Sequence, residues 1–222
     1  MTEAVSQVAQ QAQDLLAKHR LPDSIQNWAL VMYSGGLDSF AILYSLLAHT
    51  KLYVHAHHIE IVNYERRDEA ENDAIAKQMA YLKRETRRFE FSSSKHEFMH
   101  GYGGGTDTQL TMFTAARVYT AWEGRFRSIW TGHISPPEWE MFEGAALFHA
   151  MFINREIRPY WLRPLRLLKK PDILGSIPVD ARELVWSCRK PVHLEDGRFQ
   201  PCGKCHACRS RAEAEAALSA AG

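Results

Sequence analysis

WALVMYSGGLDSFAILYSLLAH, residues 28–49, sets one apolar run against another with only SGGLDS between them. The first run, WALVMY, has strand length and no polar face, the pattern of a strand buried on both sides. The second, FAILYSLLAH, has helix length. A glycine-rich turn from strand to helix lets backbone N–H groups approach an anion closely, and the helix N-terminus adds partial positive charge. Ser34 and Ser39 supply hydroxyl donors for phosphate oxygens. Asp38 would repel phosphate unless a divalent cation lay between them, so a carboxylate here implies Mg²⁺. A plain βα turn with an Asp near the helix cap is the competing reading. The complete S-G-G-x-D-S string favours a phosphate loop.

Working outward, residues 4–18 place Val5, Val8, Ala12, Leu15 and Leu16 on one helical stripe, and RLPDSIQN (20–27) breaks it. KLYVHAHHIEIV (51–62) alternates as a strand does. RRDEAENDAIAKQMAYLKR (66–84) reads as a helix with Ala74, Met79 and Leu82 facing inward. ETRRFEFSS (85–93) is a short strand, and the polar, glycine-rich residues 92–108 are expected to form a mobile loop. A helix over 109–122, a strand at RSIWTGH (127–133) and a helix over 138–152 follow. The order β-α-β-α-β-α-β means an α/β fold, a parallel sheet with helices on both faces. Ligands in such sheets bind at the carboxyl ends of the strands, which is where SGGLDS lies. Three segments are expected: a helical extension (1–25), a nucleotide-binding α/β domain (26–184) and a C-terminal tail (185–222).

The chain of 222 residues is long enough to bury a real core, and 45% apolar with 24% charged residues describes a soluble globular protein. Lys and Arg (27) balance Asp and Glu (26), so no global field draws it to nucleic acid or an anionic membrane. The basic run KRETRR (83–88) reads as a solvated helix end. His55 and His57 share one face of their strand, a spacing that is more often structural than metal-binding. Residues 1–20 lack an uninterrupted apolar core, so neither a signal peptide nor a membrane span is expected and the cytoplasm is the default location.

All four cysteines, Cys188, Cys202, Cys205 and Cys208, lie near the C-terminus with the spacing C-x13-C-x2-C-x2-C. Four thiolates in two interlocking C-x-x-C pairs suit tetrahedral Zn²⁺, and a closed set of four makes the metal structural. A redox C-x-x-C pair and an iron–sulfur cluster are the competing uses. Gly203 allows a tight turn around the metal.

The SGGLDS loop is neither a Walker A string nor the dinucleotide G-x-G-x-x-G. It resembles the PP-loop of the ATP pyrophosphatases, which cleave ATP between the α and β phosphates and adenylate a substrate oxygen. RPLRLLKKPDI (163–173) is similar to a second element of that superfamily, in which Lys170 would reach the pyrophosphate. With the tail WSC…CGKCHACRSR (186–211), these motifs resemble the 7-cyano-7-deazaguanine synthase family from residue 29 to about 211. The resemblance implies ATP-dependent conversion of 7-carboxy-7-deazaguanine and free ammonia to the nitrile, through an acyl-adenylate and an amide. Tyr33, Ser34, Gly35, Gly36, Leu37, Asp38 and Ser39 would bind the nucleotide, with Asp38 on Mg²⁺ and Asp38 and Lys170 as the catalytic pair. One structural Zn²⁺ per chain would sit on the four cysteines.

The substrate elements depart from the family at residues 62–68, 106–112 and 131–139. His133, at the ligand end of its strand, is a candidate substrate contact, and Pro136, Pro137, Glu138 and Trp139 can form a base pocket, with an aromatic to stack on and a carboxylate for a guanine edge. These departures keep three alternatives open: a ligase stopping at the amide, a retasked nucleotide-binding protein, and a tRNA-modifying enzyme. The expected partners are the deazapurine and ammonia, with a homodimer open and nucleic acid disfavoured.

Overall fold

The computed structural model describes residues 2–18, 27–62, 66–97, 106–132, 138–152 and 158–220. Strand β1 (Trp28–Tyr33) is buried at all six positions. Ala29, Val31 and Tyr33 point to one layer, and Trp28, Leu30 and Met32 to the other. A strand covered on both faces cannot be amphipathic, hence the unbroken apolar run. It pairs in parallel with β2 (Tyr53–Val62) on one side and β4 (Phe126–Trp130) on the other, within a five-stranded parallel sheet of order β3-β2-β1-β4-β5. The outer strands are β3 (Glu90–Glu97) and β5 (Tyr160–Leu162). Helices α1 (Glu3–Lys18), α2 (Leu37–His49) and α3 (Asp68–Glu85) share a core on one face, where Phe40, Ile42, Leu46 and Leu82 are buried. On the other face α4 (Thr106–Ala121) and α5 (Glu138–Phe152) enclose Met32, Tyr119, Ile129 and Phe152. The chain runs outward from β1 to β3 and then returns to β4 on the far side of β1. The crevice of this topological switch therefore opens at the ends of β1 and β4.

The sheet differs from the sequence expectation at three strands. Residues 94–97, assigned above to a mobile loop, continue β3, and residues 106–108 already belong to α4; residues 98–105 lie outside the described residues. The inward residues of β3 are polar because they meet polar partners on β2. Ser92 Oγ lies 2.7 Å from both His55 Nε2 and His57 Nδ1, and Ser94 Oγ lies 3.0 Å from His57 Nε2. Strand β4 ends at Trp130, short of the expected His133. The three residues of β5 were not expected at all; they add a strand beside β4.

After β5 come α6 (Lys170–Ser176), a 3-10 turn (Val179–Leu184), a hairpin of β6 (Val192–His193) and β7 (Phe199–Gln200), and α7 (His206–Ala220). Ala214 of α7 is buried in the main core, with Leu218 packed beside it, so the last helix docks on the sheet's own helical layer. No helix among the described residues is long and apolar enough to cross a membrane.

Candidate functional site

Ser34, Gly35 and Gly36 make the turn between β1 and α2. Gly35 has φ +74°, and a Cβ there would stand 2.7 Å from Ile75 Cγ1, so both conformation and space call for glycine. The loop is braced from within. Ser39 Oγ donates to the Gly36 carbonyl at 3.1 Å, accepts from the Ser34 amide at 3.2 Å and lies 3.1 Å from Ser34 Oγ. It is braced from below by Gln78, whose Nε2 donates to the carbonyls of Gly35 (2.8 Å) and Leu184 (2.7 Å). The Tyr33 hydroxyl bonds the same Gln78 amide, and burial pushes that phenol well above its ordinary pKa. Tyr33 and Leu37 are buried supports of the loop, and both also line the cavity above it.

Asp38 lies in the first turn of α2. Lys170, the first residue of α6, reaches it across the crevice, with Nζ 2.8 Å from Oδ1 and 2.7 Å from Oδ2. Burial raises the Asp38 carboxyl above its ordinary pKa, and the Lys170 ammonium offsets part of that rise. Asp172 donates nothing to the crevice; its carboxylate accepts from the Lys169 amide at 3.4 Å and caps α6. Gly132, just past β4, closes the site from the other side. A Cβ there would stand 2.9 Å from Asp38 Cβ and 3.0 Å from the Ser39 amide nitrogen. Only glycine lets the end of β4 lie this close to the start of α2.

A cavity of about 420 Å³ opens over these residues, within the range of small-molecule sites. Met32, Ile59 and Ile61 give its wall apolar side chains, and Ser34, Asp38 and Lys170 give it polar ones. Arg67 and Glu71 join the wall as an ion pair at 3.2 Å, and Trp186, Ser187 and Arg189 close it from the tail. Sequence reasoning missed Gln78, Gly132, Arg67 and Arg189. The adjacent arginines 66 and 67, beside a strand end, were the one available signal. Of the expected substrate residues, His133 lies outside the described residues, as do Pro136 and Pro137. Glu138 and Trp139 open α5, but their side chains are not among those described.

The four cysteine sulfurs all lie within 4.8 Å of one another, with Cys202 and Cys208 Sγ 3.9 Å apart. A tetrahedron of ~2.3 Å metal–sulfur bonds sets its corners about 3.8 Å apart, so the donors fit one soft ion. A four-iron cluster places an iron behind each thiolate and spreads the sulfurs wider. Backbone amides of Lys190 and Cys202 donate to Cys188 Sγ at 3.4 and 3.3 Å, and those of Lys204 and Cys205 to Cys202 Sγ at 3.4 and 3.3 Å. These last two hold the Cys202 thiol below its usual range, which suits a metal-ligating thiolate. Gly203, at φ +68°, makes the turn within this knuckle. The group can hold a metal ion.

No protein-family model matches the chain, and no curated protein matches it. Among solved structures, the U34-tRNA thiolase NcsA from Methanococcus maripaludis, with its 4Fe-4S cluster, is similar to 96% of this chain over 72% of its own, at 14% identity and a TM-score of 0.48.

Proposed function

We propose that the cavity binds ATP and that the chain is an ATP-dependent carbon–nitrogen ligase that converts 7-carboxy-7-deazaguanine and ammonia to 7-cyano-7-deazaguanine. The observation that carries the nucleotide site is the Asp38–Lys170 pair, bonded at 2.7 and 2.8 Å beside the S-G-G turn at the switch point of the sheet. A carboxylate and an ammonium placed together at a phosphate loop supply one group for a divalent cation and one for the phosphates. The apolar side chains of Met32, Ile59 and Ile61 suit a nucleobase, and the polar groups of the same wall suit the phosphates. The choice of deazapurine rests on the combined motifs at 34–39, 163–173 and 186–211.

On this reading Lys170 turns from Asp38 to the triphosphate, and Asp38 would hold Mg²⁺. The ion, when bound, offsets the negative charge of the polyphosphate. The substrate carboxylate attacks the α-phosphorus, the α–β bridge breaks, and pyrophosphate leaves with its charge facing Lys170. Ammonia displaces AMP and gives the amide. A second adenylation on the amide oxygen, followed by loss of AMP and a proton, gives the nitrile. No thiol nucleophile is required, and the four cysteines hold a structural Zn²⁺.

Mass analysis after incubation with Mg²⁺, ATP, ammonia and 7-carboxy-7-deazaguanine tests this reading. Nitrile with two AMP per product is the expected result. Amide that never loses water would leave a ligase of one adenylation. AMP formation only with tRNA present would move the activity to nucleic acid, and no AMP under any condition would leave a retasked nucleotide-binding protein.

A further inference from the structure

The segment from Leu184 to Arg189 joins the phosphate loop to the cysteine knuckle. The Trp186 amide donates to the Gly35 carbonyl at 3.2 Å, and Trp186 O lies 3.6 Å from where a Cβ on Gly36 would stand. Gln78 fastens Gly35 and Leu184 through a single amide group. Two residues on, Trp186 Nε1 donates to the Cys188 carbonyl at 3.1 Å, so the indole ties the loop-facing strand to the first metal ligand. Arg189 follows directly; its own amide donates to Cys205 Sγ, which fixes its backbone to the knuckle. Its side chain is exposed and lines the cavity together with Trp186 and Ser187. Trp186 abuts Gly35 and Gly36, and Ser187 and Arg189 follow it in the same cavity wall, which Ser34, Gly36, Asp38 and Lys170 share.

We infer that Arg189 is a phosphate-binding residue of the nucleotide site, delivered by the cysteine knuckle, so that the bound metal and the nucleotide strengthen each other's hold. The inference rests on the reading of the cavity as an ATP site. A guanidinium offers a planar fork of donors suited to phosphate oxygens. An arginine whose neighbouring Cys188 is a metal ligand, and whose amide is spent on Cys205, has its Cα position set by the metal. Removing the metal frees that backbone and returns the side chain's conformational entropy. Coupling between two ligands is reciprocal: what the metal does for nucleotide affinity, the nucleotide does for metal affinity.

The test uses the metal-loaded chain and two variants, R189A and R189K, with a non-hydrolysable Mg·ATP analogue as the probe. By calorimetric titration R189A is expected to bind the analogue about tenfold more weakly, the loss of one charge-assisted contact, and R189K to recover part of it. Both variants keep the backbone amide at 189 that donates to Cys205 Sγ, so both are expected to keep the native metal content. In equilibrium competition with a chelator, the saturating analogue is expected to raise several-fold the chelator concentration that extracts half the metal from the native chain, and to leave R189A unchanged. Analogue affinity equal within twofold in native and R189A chains overturns the inference and leaves the ATP site standing. An equal protection of the metal in both chains overturns the delivery by the knuckle. A native chain that does not bind the analogue at all removes the ATP reading and the inference together.

Discussion

Asp38 is paired with Lys170, yet burial still leaves its carboxyl above the ordinary range. An acid whose pKa rises on folding binds its proton more tightly in the native state than in the unfolded chain. Native stability therefore falls as pH climbs from 3.8 through the raised value, and the penalty is constant above both. D38N removes that penalty together with the carboxylate proposed to hold Mg²⁺. It is expected to lower AMP formation on the order of 10²-fold or more while the melting temperature at pH 7 is no lower than native, read by product assay and calorimetry. Lys170, a third exposed, is left to water. Gly132→Ala works in the opposite sense: its Cβ meets backbone at 3.0 Å, so the start of α2 must shift. A loss of about 1–3 kcal/mol by urea titration, together with weaker ATP binding, is expected. Neither effect is legible in a string such as TGH, because the neighbour that forbids a side chain at 132 is brought there by the fold.

The pairing of β2 with β3 shows why the second half of a strand, residues 94–97, can be invisible locally. FSSSK has no apolar alternation to betray a strand, since Ser92 and Ser94 face His55 and His57 across a register that only the sheet defines. By contrast, β1 and α2 were legible because a doubly buried strand must be apolar throughout and the tight turn that follows it needs glycine at position 35. Ser92 has one hydrogen for two rings, so at least one of the two histidines donates to its oxygen. S92A is expected to cost about 1–3 kcal/mol in urea titration by leaving buried ring nitrogens unpaired. Burial, with help from His55, His58 and His96, lowers the His57 pKa to about 4. The unfolded chain takes up that proton first, so the stability tied to His57 is full above 6.5 and is lost as pH falls towards 4. Denaturation midpoints at pH 7 and pH 5 check the sign. In the tail, the cysteine spacing was legible because metal ligation is local; the bond from Trp186 to Gly35, which brings that tail to the cavity, is not local and left no pattern. C205S is expected to drop metal content well below one per chain and to lower the melting temperature, checked by elemental analysis and calorimetry.

At the scale of the molecule the cavity draws its walls from both ends of the chain: the S-G-G turn and Asp38 from early residues, Lys170, Trp186 and Arg189 from late ones. A ligand seated there should brace the whole sheet. Mg·ATP at a hundred times its dissociation constant adds about 2.7 kcal/mol, which for a chain of this size is a rise in melting temperature of roughly 5–10 °C by thermal shift. The same arrangement sets an order of events on the ribosome. Asp38 is synthesised 132 residues ahead of the lysine that neutralises it. At about 5–20 residues per second that gap lasts on the order of ten seconds. Until α6 emerges and docks, the nascent turn carries a carboxylate with no lysine counter-charge beside it. On the proposed reading the carboxylate for the cation and the ammonium for the phosphates stand together only once α6 has docked, so a complete site is a late product of folding.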